Sequence, residues 1–193
     1  TGTAVGKSAL AANTTGNNNN AFGYQSLDAN TTDGDNSAFG QEALGTNTTG
    51  DGNTAVGYAA LYANTTANNN TAVGKNALLA NTTGAGNVGI GRQAMDANTT
   101  GAEAVGIGEN ALGANTTGNY NVAVGENALG ASTTASNNVA VGRRALLANT
   151  TGTQNTAVGY YAGSQVTTGN YNLFLGYDVG TDNANGDRRF VIG

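Results

Sequence analysis

The sequence contains no cysteine, no histidine, no proline and no tryptophan. Without cysteine there are no disulfides, thiolate zinc sites or thiol nucleophiles, and without histidine the usual metal ligand and general base are missing too. The serine triad that depends on an imidazole goes with them, so the composition speaks against an enzyme and gives no cofactor or metal a conventional ligand set. Proline cannot donate to a hydrogen-bond ladder, and a chain bonded strand over strand would exclude it. Charge is sparse as well: 12 acidic and 7 basic residues leave a net −5, which speaks against nucleic acid as a partner. No stretch approaches the ~18 consecutive apolar residues of a membrane span, so membrane insertion is not expected. No charged-then-apolar leader opens the chain. It starts in mid-repeat at Thr1, as a fragment or processed piece would, so that lack says nothing about secretion.

Large aliphatic residues are also few. Leu, Ile, Val and Phe together number 32 of 193, which argues against a conventional core, although the high net charge of disordered chains is absent. What is present is 30 Asn, 28 Thr and 31 Gly, three types that disfavour helix interiors. They are arranged periodically. One glycine recurs at 6, 23, 40, 57, 74, 91, 108, 125, 142, 159, 176 and 193, always seventeen residues apart. With no insertion in eleven periods, every repeat must follow the same path length, as in a stacked array.

The columns of this array have distinct chemistry. The residue before each glycine is always apolar (Val5, Phe22, Phe39, Val56, Val73, Ile90 and onward), and four after it stands Leu, or Met95, until Gly163 and Gly180. These two columns are the expected core. Alanine dominates the third and sixth positions after the glycine, whereas the first two positions mix charged, polar and aromatic residues, as solvent-facing sites do. Seventeen residues accommodate two short strands of roughly four or five residues joined by two turns. One strand is expected on the T/V-A-V-G segment and the other on A-L-x-A-N-T-T, with a G-N-N-N-like turn between coils. The fold expected is all-β, a parallel β-solenoid or β-roll of about eleven coils. Each coil has only two or three large apolar side chains to offset the ordering of seventeen residues. Extra burial between chains would close that gap, and the small-residue alanine columns offer a flank for another copy, in a parallel homotrimer.

The A-V-G-x-x-A core in AVGKSAL, AVGYAAL, AVGENAL and AVGRRAL resembles the head repeat of YadA-type trimeric autotransporter adhesins. The longer form AVGYAALYANTTANNNTAVG is more similar still to repeats of bacteriophage tail fibres and bacterial surface fibres, and NYNLFLGYDVGTDNANGDRRFVIG resembles their closing repeats. The resemblance covers essentially the whole chain, although the adhesin head repeat is usually shorter than seventeen residues. It implies a left-handed parallel roll with three chains to a head. It also implies an extracellular place on a virion tail fibre or bacterial surface, and a host-surface glycan or protein as receptor.

Several columns are candidates for a functional surface. Asn at 13, 30, 47, 64, 81, 98, 115 and 149 is each followed by two threonines, with Ser132 and Val166 breaking the Asn column. The stacked amides and hydroxyls read as ladders along the rod. As an alternative, Thr15, Thr32, Thr49, Thr66, Thr83, Thr100, Thr117, Thr134 and Thr151 form a regular outward row for ordering ice, one column only because adjacent threonines face opposite ways. The triplets also match the N-glycosylation acceptor. Asp33-Gly34-Asp35-Asn36 and Asp51-Gly52-Asn53 have the oxygen-rich look of calcium loops, but no bidentate acid follows and the same residues form ordinary turns.

Tyr24, Tyr58, Tyr160 and Tyr177 share the outward column after the glycine, with Tyr62, Tyr120, Tyr161 and Tyr171 on other columns, and such rings stack on sugars or pack between neighbouring coils. Arg143 with Arg144, and Arg188 with Arg189, suit anionic glycans or serve as solvated faces. Glu109 and Glu126 stand one coil apart on the solvent side, with no cleft for carbohydrate cleavage. The regular repeats are expected over 1–159. Residues 160–193, where Gly163 and Gly180 replace Leu and Phe174 and Phe190 enter, read as a cap, a transition to a following domain or a tip site. The functional expectation is a structural and adhesive fibre segment, a phage tail fibre or bacterial surface adhesin, that binds through many weak contacts. An ice-binding solenoid is the alternative.

Overall fold

In the computed structural model the chain is described over residues 2–180 and 185–193; Thr1, and positions 181–184 within the atypical C-terminal repeats, lie outside that description. Twelve strands of three residues run among the described residues from β1 (Thr3–Val5) and β2 (Asn20–Phe22) to β11 (Leu173–Leu175) and β12 (Phe190–Ile192). Each pairs in parallel with the next, so sheet order is chain order. Register advances by one repeat without a slip: Val56 pairs with Val73, and Val73 with Ile90. The fold is an all-β parallel solenoid of about eleven turns, on the order of 50 Å long at ~4.8 Å per turn. Each turn is called a rung below, numbered by the strand that opens it.

Each rung carries one strand, not two. The A-L-x-A-N-T-T segment is a chain of turns, because left-handed residues recur within it: Asn76 has φ 59° and Leu78 φ 52°. Local bonds close these turns, Ala77 N–H to Gly74 C=O at 3.3 Å and Asn81 N–H to Leu78 C=O at 3.2 Å. Between them the backbone still reaches its neighbours, Leu78 N–H donating to Ala94 C=O at 2.9 Å and Asn76 N–H to Tyr58 C=O at 2.9 Å. A left-handed leucine costs about 1–2 kcal/mol. The geometry aims its side chain into the interior, where full burial returns about 1.5–3 kcal/mol. The invariant glycine turns the next corner. At Gly74 φ is +133°, and a Cβ there would lie 2.5 Å from the Gly91 carbonyl oxygen of the next rung, so stacking admits no side chain.

The core differs from the sequence expectation in one column. Leu27, Leu44, Leu61, Leu78, Met95, Leu112, Leu129 and Leu146 are fully buried, as expected. The residue before the glycine is not: Val56 is 38% exposed and Phe39 41%. The strand alternates, and the inward residue is its central alanine or glycine, as in Ala55 and Ala72, with the apolar residue on the outer face. The interior is too narrow for two large columns, so leucine fills it against alanine. Exceptions prove the fit. A Cβ on Gly106 would lie 2.7 Å from Cγ of Met95, and Cβ atoms on Gly163 and Gly180 would lie 2.6 and 2.2 Å from the Phe174 ring. Phe174 in the alanine column thus occupies the space of two missing leucines.

The other half of the interior is lined by amides. Asn47 donates through Nδ2 to Asn30 Oδ1 at 3.1 Å and to Gly50 C=O at 2.9 Å, and Asn64 repeats the pattern on Asn47 and Ala67. A second column, Asn36, Asn53 and Asn70, is buried beside it. Asn36 Nδ2 donates to the same Gly50 carbonyl at 2.8 Å, and its Oδ1 accepts from Asn53 N–H at 2.9 Å. At Gly50 and Ala67 the two ladders therefore converge on one carbonyl. Burying amides is costly unless they are bonded, and these satisfy the turn backbone of each rung.

Candidate functional site

The interior is filled by leucine, alanine and asparagine, so the surface open to a ligand or partner is that of the outer columns. The sheet presents two outward columns. One is the apolar column before the glycine, from Val5 to Ile192; the other runs from Thr3 through Val88, Val105, Val122 and Val139 to Phe190. Neither contains a charged residue in twelve rungs. Aliphatic residues fill both columns in rungs 6 to 9, where Val88–Ile90 and Val105–Ile107 each put two on the surface. Phe22 and Phe39 stack at 4.9 Å and 7° nearer the N-terminus. Of the two, the column before the glycine is the one that the sequence reading assigns to the core. The signal that relocates it is the exchange at Gly163, Gly180 and Phe174, which shows that the alanine column faces the leucines. The alanines three after the glycine, such as Ala60, Ala77 and Ala94, are fully buried and form no flank; those six after it, such as Ala63 and Ala80, are half-buried.

Beyond the glycine the rim is charged and aromatic. Rungs 8 to 11 bring Glu126, Arg143, Arg144, Tyr160, Tyr161 and Tyr177 into one cluster. Arg143 donates to Glu126 through Nε at 3.0 Å and to Tyr160 Oη at 3.1 Å. Tyr160 stacks on Tyr177 at 5.2 Å and 9° and meets Tyr161 at 4.6 Å, and Arg144 lies over Tyr161 at 5.4 Å while bonding its hydroxyl. The Arg143 guanidinium holds the Glu126 carboxyl below its ordinary range, against a smaller opposing effect of desolvation. Tyr177 is 73% exposed, so the outer ring of the stack has an open face. Tyr24 and Tyr58 are exposed too but stand apart from this cluster, two rungs from one another; Lys75 lies 5.8 Å from the Tyr58 ring centroid. Arg188 and Arg189 lie over Tyr171 and Phe174. Glu109 pairs with Arg92 as Glu126 does with Arg143, so each carboxylate is held by an arginine.

The two threonines of each triplet differ in their bonding, although the segment is not a strand. Thr48 Oγ1 donates to Thr65 C=O at 3.0 Å and Thr99 Oγ1 to Thr116 C=O at 2.9 Å, so the first column is bonded along the axis. The second column, Thr15 to Thr151 and on to Thr168, is exposed in every rung, one hydroxyl per ~4.8 Å. The sequon asparagines from Asn30 onward are fully buried with their amide nitrogens bonded, which removes them as glycosylation acceptors in the folded chain. In the calcium-like segments Asn36 and Asn53 belong to the inner ladder, and Asp35 accepts from Asn18 at 3.0 Å. Among the described residues no three acidic side chains converge as metal ligands, and no helix is long and apolar enough to cross a membrane. Of the aromatics offered as a tip site, Phe174 is buried and Phe190 is 70% exposed. Set beside protein-family models, curated proteins and solved structures, the chain matches none of them.

Proposed function

We propose that the chain is a non-enzymatic structural and adhesive fibre segment, displayed outside the cell on a phage tail fibre or bacterial surface, in which three left-handed rolls associate in parallel. The observation that carries this reading is the uncharged outer stripe of the sheet, apolar at its centre and bordered by charged and aromatic side chains. Such an arrangement, a dry core with a polar rim, is that of a protein interface. The stripe takes the role that sequence reasoning gave to the alanines. Because each rung lies in register with the next, one contact repeated along the axis multiplies on a parallel copy, and closed symmetry limits the assembly. The rim, with the Arg143–Tyr177 cluster at its C-terminal end, then faces outward and offers a host-surface glycan or protein three equivalent copies.

Light scattering on the purified protein tests the assembly: a mass of three chains is expected at micromolar concentration. Ile107→Asp and Val124→Asp should each shift it to the monomer. A monomeric wild type overturns the proposal. Binding of the labelled trimer to host cells tests adhesion, with Arg144→Ala and Tyr177→Ala expected to reduce it.

The exposed threonine column supports a second reading, an ice-binding solenoid. It needs only one chain. Thermal hysteresis lost on substituting Thr83, Thr100 and Thr117 by a bulky residue would establish it, and none is expected of the fibre segment.

A further inference from the structure

The position five after the glycine was assigned no role by the repeat pattern, and it shapes the surface over rungs 2 to 5. It holds Asp28, Gly45, Tyr62 and Leu79 in successive rungs. The Tyr62 ring lies down over Gly45, where an added Cβ would stand 3.1 Å from both Cδ2 and Cε2, so the glycine seats the ring against the backbone. The ring remains 40% exposed. It divides two adjoining hollows that share Glu42. One, of about 280 Å³, is lined by Gln25, Asp28, Glu42, Gly45, Thr46 and Tyr62. The other, of about 520 Å³, is bounded by Tyr58, Tyr62, Asn76 and Leu79 together with Glu42.

We propose that this groove is a saccharide subsite in which Tyr62 is the stacking platform and Asp28 and Glu42 accept hydroxyl or amine hydrogen bonds. The inference rests on the adhesive reading and names a ligand class for it. An immobilised tyrosine supplies an apolar face with little entropy to lose, and a pyranose ring presents C–H groups of matching extent. The carboxylates are acceptors only, Gln25 and Asn76 both donate and accept, and Thr46 Oγ1 is turned inward onto the Tyr62 carbonyl. No lysine or arginine lines either hollow. Lys75 approaches from outside, on the Tyr58 ring. The charge therefore selects an uncharged or amine-bearing sugar over a sulfated or carboxylated one, opposite to the Arg143–Arg144 cluster. Asp28 is held above its ordinary pKa chiefly by burial, with the Glu42 charge adding to the shift, in keeping with a carboxyl set into the groove wall.

The test is titration of the intact protein with three probes: a neutral hexose oligosaccharide, a glucosamine oligomer and a sulfated oligosaccharide, followed by saturation-transfer NMR and calorimetry. Binding of the first or second is expected, weakened at least tenfold by Tyr62→Ala and severalfold by Glu42→Gln. Asp96→Asn, at the same column outside the groove, should leave it unchanged. Melting curves and solution mass, measured on every variant, separate loss of the groove from loss of the rod. No binding of any probe at millimolar concentration, preference for the sulfated one, or unaltered affinity in Tyr62→Ala overturns the subsite. A trimer that attaches to cells but binds none of the probes leaves the fibre reading intact, whereas a monomer removes both.

Discussion

The two halves of each rung's interior are equally repetitive and respond to substitution in opposite ways. On the apolar side a change in one column is absorbed by another: Met95 faces Gly106, and Phe174 takes the place of leucine at 163 and 180. In the ladder of Asn47 and Asn64 a change leaves orphans, whereas in the second ladder Ala104 leaves none because its N–H still donates to Asn87 Oδ1 at 3.0 Å. Where Ser132 interrupts the first ladder, Asn115 Oδ1 and Ser132 Oγ are buried without a partner, and where Val166 does so, Asn149 Oδ1 is. Dispersion and burial are non-directional, so volume can be traded between neighbours. A buried amide is satisfied only by a donor and an acceptor at fixed positions one rung away.

The strongest test of this contrast is at Phe174. Phe174→Ala should cost about 3–5 kcal/mol by leaving a cavity across two rungs. Adding Gly163→Leu and Gly180→Leu should recover most of that loss in denaturant melts, because φ at both glycines is positive, +60° and +78°, as it is at the leucines of other rungs. Failure of the triple variant to recover would mean that the apolar side is not interchangeable. Next in size is Asn81→Ala. It removes donors to Asn64 Oδ1 and Gly84 C=O and the acceptor for Asn98, and should cost about 2–3 kcal/mol with no rescue from a neighbouring apolar change.

Smaller and opposite in sign is Ser132→Asn, which restores a donor to Asn115 and an acceptor to Asn149 and should stabilise by about 1 kcal/mol. Asp28→Asn and Asp96→Asn give the smallest effect. Burial raises both carboxyl pKa values in the fold, so the native state binds protons more readily than the unfolded chain, and stability falls as pH rises from the ordinary aspartate value through the raised one. Each substitution should therefore raise the melting temperature at neutral pH, a gain that shrinks in acid where the native carboxyl is already protonated.

Much of this fold was legible because a repeat displays each position about eleven times. The parallel stacking, the one-repeat register and the leucine seam follow from an unbroken glycine clock and a column that stays apolar. The second strand and the inward valine did not follow. Periodicity of two says only that neighbours alternate, and a three-residue strand with an apolar end and a small centre fits the core in either orientation. Asn19, Asn36 and Asn53 were read as turn formers because Asn-rich segments between repeats have that composition whether their side chains face in or out. Of the candidate surface, the Arg143–Tyr177 cluster was visible as a shared outward column. The groove at Tyr62 was hidden, since its walls come from the same columns of four rungs, two and five after the glycine, where the residue type changes from one rung to the next.

What the order of residues determined alone is the path: seventeen positions per turn, glycine where the next rung's carbonyl leaves no room, and small or polar residues wherever rungs meet. Tertiary structure decided which way the strand faces. Leucine held in a left-handed conformation fills the narrow interior from the turn side, so the opposite wall must be alanine, and the alternation of the strand then sends valine, isoleucine and phenylalanine out to the surface.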